Sequence, residues 1–85
     1  MKQNIKKSAA RRLAIAAGQV KGIQEMVADE KYCVNIITQI EAVREALSGV
    51  GSLILENHLS THVKEQMKNG EENKAIAEIL KIYRL

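Results

Sequence analysis

Eighty-five residues, 46% hydrophobic and 27% charged, with one cysteine and no Pro, Trp or Phe, make one small module. They exclude a disulfide framework and a two-lobed enzyme. Ten Ile, seven Leu and six Val mark a chain that folds, yet such thin side chains in so short a chain bury only about 60–65% of the unfolded surface, so oligomerisation is expected. The net charge of +3 hides an asymmetry: residues 1–24 hold Lys2, Lys6, Lys7, Arg11, Arg12 and Lys21 without an acid, while the remainder carries seven basic and ten acidic side chains. A polyanion partner at that end and a merely solvated basic surface both account for it. No signal-like apolar run opens the chain, and none approaches the ~20 apolar residues needed to cross a bilayer. The expected location is cytoplasmic, with no membrane partner.

In chain order, Ile5, Ala9, Leu13, Ala16, Val20, Ile23 and Val27 recur at steps of four and three, which predicts a first helix over 4–28. A polar interval, Asp29-Glu30-Lys31-Tyr32, offers neither Gly nor Pro and marks a weakly signalled turn. A second stripe, Cys33, Ile36, Ile40, Val43, Leu47, Val50 and Ile54, keeps phase for three heptads, as in a helix packed along a partner. Ser48-Gly49-Val50-Gly51-Ser52 favours a break on propensity, but the unbroken phase predicts one long helix over 33–68, on the order of 50 Å. Nothing else in an 85-residue monomer covers such a helix, so a second copy must. Asn69-Gly70 is a helix stop, and Ile76, Ile79, Leu80 and Tyr83 give a short third helix over 72–83. Residues 1–85 thus read as a single all-α domain.

Cys33, His58 and His62 are the only thiol and the only imidazoles, and all lie on or beside the second stripe. Taken singly, the Cys is most simply a small core residue and each His a surface one. Together they say more, because His58 and His62 sit at i and i+4 and can share a soft metal. Cys33 is about 37 Å from His58 along a continuous helix and cannot join them in the same chain. Two copies packed antiparallel about a twofold axis near Glu45 to Leu47 would set Cys33 of one chain against His58 and His62 of the other, making the site twice.

The run Arg12-Leu13-Ala14-Ile15-Ala16-Ala17-Gly18-Gln19-Val20-Lys21-Gly22-Ile23, then Tyr32-Cys33, Gln39-Ile40-Glu41-Ala42-Val43 and Glu56-Asn57-His58-Leu59 with His62, resembles the CsoR/RcnR family of bacterial metal-responsive repressors over essentially the whole chain. The resemblance implies a three-helix protomer, an antiparallel four-helix bundle formed by a dimer, and a flat tetramer that binds operator DNA and releases it when the effector binds. It implies Cys33, His58 and His62 as ligands, with Tyr32 and Glu78 in supporting positions. It also implies that Arg12 and its basic neighbours Lys6, Lys7, Arg11 and Lys21 meet the phosphates. The chain departs from each branch of the family. Copper sensors usually carry Cys where this chain has His62; nickel and cobalt sensors add a His near the start, where this chain reads Met1-Lys2-Gln3-Asn4. Formaldehyde sensors have Pro where Lys2 stands, and persulfide sensors need a second Cys.

One thiolate with two imidazoles suits trigonal Cu(I); Ni(II) or Co(II) would recruit further donors, and Zn(II) would keep an open position of the kind found in catalytic sites. The expectation is a copper-responsive repressor, with a nickel-, cobalt- or formaldehyde-responsive repressor as the alternative effector reading. A structural helical oligomer is the rival from another class. An enzyme is not expected, since no oxyanion-forming Gly loop is evident.

Overall fold

Residues 1–83 are described by the structure, a computed structural model. Helix α1 (Gln3–Ala28) turns back into α2 (Cys33–His58), which passes through a π-helical turn (Leu59–Val63) into α3 (Lys64–Lys68); α4 (Glu72–Ile82) follows. The long central helix therefore runs from Cys33 to Lys68 without leaving helical geometry, its one irregularity being the wide turn at 59–63. Gly49 and Gly51 do not break it. Val50 between them is buried on the same side as Val43 and Asn57, and that packing outweighs the roughly 1 kcal/mol that each Gly costs in a helix interior.

Both helix reversals use the same device. Beyond Ala28, the Lys31 amide donates to the Met26 carbonyl at 3.0 Å and the Glu30 amide to Val27 at 3.1 Å, with Glu30 left-handed at φ 51°. Beyond Lys68, the Glu71 amide reaches Gln66 at 2.7 Å and Gly70 reaches Met67 at 3.3 Å, with Gly70 at φ 73°. These paired bonds satisfy the last carbonyls of each helix. Gly70 adopts the required conformation freely, whereas Glu30 holds it against a steric cost of about 1–2 kcal/mol. That is why the first turn is nearly silent in sequence.

The hairpin of α1 and α2 is antiparallel: the Lys2 amide donates to Asn57 Oδ1 at 3.2 Å, and Arg12 Nη1 lies 3.9 Å from where a Cβ on Gly49 would stand. The seam is narrow. Ala9, Ala16, Val43 and Val50 are buried, but Leu13, Val20 and Val27 of the predicted first stripe, and Ile40 and Leu47 of the second, remain exposed. A single neighbouring helix covers only part of a stripe one heptad face wide.

The shape records the same shortage of core. The protomer measures 55 × 28 × 14 Å with a radius of gyration of 17.3 Å, against about 12 Å for a compact chain of this length. Its accessible surface is 6768 Å², against about 5,000 Å² for a compact monomer of 9.4 kDa. The excess, about 1,700 Å², is twice the ~800 Å² that one partner contributes to a standard interface.

Candidate metal centre

The imidazole pair is built by the end of α2 and the π turn. Within this turn the Ser60 hydroxyl donates to the Asn57 carbonyl at 3.1 Å and the Thr61 hydroxyl to the same oxygen at 2.7 Å. Two hydroxyls thus compete for the acceptor that a regular helix would give to the Thr61 amide, and the turn widens. Leu59–Val63 carries His62, while His58 closes α2, and their rings face each other at 5.3 Å between centroids, tilted by 36°.

Each ring has one nitrogen beside a polar neighbour. His58 Nε2 lies 3.8 Å from Glu78 Oε2, longer than a direct hydrogen bond, so the carboxylate faces the imidazole edge without fixing its tautomer. His62 Nδ1 stands 3.5 Å from the Thr61 hydroxyl, whose proton is already given to Asn57. The Thr61–His62 contact is at the long limit of a hydrogen bond and is open to either tautomer of the ring. Glu78 is itself held, since Gln66 Nε2 donates to its Oε1 at 3.3 Å. Glu78 thereby links α4 to the end of α2 and to α3.

Cys33 stands apart. It is a free, exposed thiol at the first position of α2, with Tyr32 as the residue before the helix, also exposed. The 25 residues that separate it from His58 put it about 37 Å away along the helix. Among the described residues no cluster of three His, Cys, Asp or Glu side chains is assembled within one protomer. One chain brings together His58, His62 and Glu78 and leaves Cys33 and Tyr32 at the other end. A thiol and two imidazoles are donors of the kind a soft metal ion takes, and one protomer does not bring the three together.

The basic residues of α1 divide between two faces. Lys7, Arg11 and Lys21 are exposed on the side away from Ala9 and Ala16, with Lys6 at its edge. Arg12 is also exposed but lies nearer α2. Its side chain leans over α2, lining with Ile15, Gln19, Ala42, Ala46 and Gly49 a shallow groove between the helices. Its position in the helical period, close to that of Ala9 and Ala16, dictates this. Sequence reasoning also missed Asn57, Ser60, Thr61 and Gln66. The only signal was a hydroxyl pair three and four residues after an Asn beside His58.

A family model described as metal-sensitive transcriptional repressor matches residues 5–84. The copper-sensing transcriptional repressor CsoR of Bacillus subtilis is 41% identical over 73 residues, covering 86% of this chain and 72% of that protein. The copper-sensing transcriptional repressor RicR of Mycobacterium tuberculosis is 43% identical over 61 residues, which is 72% of this chain and 64% of its own length, so this match spans less than two thirds of that relative. In structure, the chain is similar to the copper-sensing repressor CsoR with Cu(I) from Geobacillus thermodenitrificans, at a TM-score of 0.90 and 31% identity, covering 99% of this chain and 88% of that one. With an all-helical fold of one long central helix and a match over nearly its whole length, the chain belongs to the metal-sensitive transcriptional repressors, a family of regulators and not of enzymes.

Proposed function

We propose that this protein is a copper-responsive repressor that holds operator DNA when metal-free and releases it on binding Cu(I) at sites shared between protomers. The observation that carries the reading is the placement of the donors on one long helix: His58 and His62 paired at one end, 5.3 Å apart, and Cys33 at the other. Antiparallel pairing about a twofold axis near Glu45 to Leu47 would set Cys33 of one protomer beside His58 and His62 of its partner, twice per dimer. The surface excess, equal to two interfaces, supports a dimer that pairs again into a flat tetramer. The names of the copper-sensing relatives favour Cu(I) over Ni(II), Co(II) or Zn(II). A cytoplasmic location follows from the same role.

Bound there, a Cu(I) ion would supply a soft cross-link between the two long helices. The protein's own residues do the rest. Glu78 orients the His58 ring and ties it to α4, the Thr61 hydroxyl orients His62, and Tyr32 stands beside the thiol at the opposing helix start. The exposed face with Lys7, Arg11 and Lys21 offers itself to phosphates, with Lys6 at its edge.

Complementation between two defective chains tests the sharing of the site. Cys33→Ala and His58→Ala homo-oligomers are each expected to bind Cu(I) poorly in anaerobic competition with a calibrated chelator. Unfolded together and refolded at random, the two chains should regain about one quarter of the unmodified stoichiometry, because half the dimers then carry one intact site of two. No recovery on mixing, or full binding by either variant alone, would sink the shared site.

A further inference from the structure

Asn57 is the one polar residue buried among the described residues, at 3% exposure, and its side chain serves another helix. Its Oδ1 accepts from the Lys2 amide at 3.2 Å, across 55 positions of sequence. Helix α1 lacks any cap of its own: Lys2 occupies the capping position without a side-chain bond, and Ile5, three residues on, cannot reach back to the Lys2 amide as a Glu or Gln would. Asn57 supplies from α2 the acceptor that α1 does not carry.

The same residue anchors the turn that holds the imidazoles. Its carbonyl takes both the Ser60 and the Thr61 hydroxyls, Thr61 is the neighbour of His62 Nδ1, and His58 follows Asn57 directly in the chain. Side chain and main chain of one residue thus touch the first amide of the basic helix and the wide turn that presents two ligands. A hydrogen bond at 3.2 Å is near the long end of the N–H···O range, so a displacement of a few tenths of an ångström at Asn57 breaks or strengthens it.

We propose that Asn57 is a positioning residue, a clasp through which the 58–62 turn sets the start of α1 and with it the placement of Lys6 and Lys7. The proposal rests on the copper-repressor reading above. When the rings of His58 and His62 swing to a shared ligand, the hydroxyl-tied turn carries Asn57 with it, and the Lys2 amide follows or is released. A core Asn that merely satisfies its own hydrogen bonds would affect stability alone.

The test measures coupling in the full-length oligomer. A duplex selected by the metal-free protein from a random-sequence pool is titrated with and without one Cu(I) per protomer, and the ratio of the two affinities is the coupling. Asn57→Leu, similar in volume and unable to accept, should shrink that ratio by about tenfold, while Cu(I) affinity in the absence of DNA stays within about threefold. Asn57→Asp, which keeps an acceptor oxygen, should restore the ratio. An unchanged ratio in Asn57→Leu overturns the clasp, whereas a ratio of one in the unmodified protein overturns the repressor reading instead. Should Asn57→Leu fail to fold, amide exchange in the unmodified protein decides. Cu(I) should change protection of the Lys2 amide by about tenfold and leave that of Val50 unaltered, and an unmoved Lys2 amide refutes the proposal.

Discussion

Replacing Leu47 by Glu is the sharpest perturbation of the proposed assembly. Leu47 is 45% exposed in the protomer and lies where the twofold axis of an antiparallel pair would pass. Completing the burial of a half-covered Leu is worth about 1 kcal/mol per copy, taking roughly half of the 1.5–3 kcal/mol for a whole side chain. A carboxylate brought into a dry seam without a partner adds about 3–5 kcal/mol, and the symmetry places two of them close together. The dimer should lose at least about 5 kcal/mol, which raises its dissociation constant by more than about three decades. The protomer fold opposes the substitution less than the dimer does, since Leu47 is only half covered within one chain. Sedimentation equilibrium should therefore show the variant as a helical species of monomer mass, or one that unfolds as it dissociates. A stable, folded 9.4 kDa monomer for the unmodified chain at micromolar concentration, or an undisturbed oligomer for Leu47→Glu, would refute the reasoning.

Two further outcomes follow from the geometry. DNA affinity should fall steeply with salt, each neutralised phosphate contributing about 0.9 to the log–log slope; Arg11→Ala and Lys21→Ala should lower that slope, and Arg12→Ala should lower it less because its guanidinium leans over Gly49. Glu30→Gly should stabilise the protein by up to about 1 kcal/mol in urea melts, the relief at φ 51° being partly offset by the freer unfolded chain; a loss of stability would mean that the Glu30 side chain has a role of its own.

The helices were legible because their periodicity is strong and uninterrupted, and the stop at Asn69-Gly70 because Gly enters the left-handed region freely. Their interior was less so. Leu13 and Ala9 carry the same weight in an apolar stripe, yet one is exposed and the other buried, since the stripe sums the demands of the partner helix in the chain and of surfaces beyond it. At the candidate site, the closeness of the His58 and His62 rings was readable from their i, i+4 spacing. The π turn was not, because it arises from hydroxyl competition for one carbonyl at Asn57, a short-range effect that apolar periodicity does not register. Arg12 shares its charge with Lys7 and Arg11 but not their helical phase, which brings it nearer α2.

The missing core and the divided ligand set have one cause, the length of the central helix. A helix running from Cys33 to Lys68 outruns the cover that the rest of the chain gives it, and the protomer carries about 1,700 Å² more surface than a compact monomer of its mass. The same length separates the thiol from the imidazoles, so an ion held by all three would read the relative placement of two protomers and not the shape of one. In the proposed reading its binding energy would be spent on an interface, and Glu78 on one side and Asn57 on the other would link that interface to α4 and the start of α1. Such coupling is reciprocal: whatever factor the metal removes from DNA affinity, DNA must remove from metal affinity. A site complete within one protomer would bind as tightly yet have no geometric reason to notice the DNA.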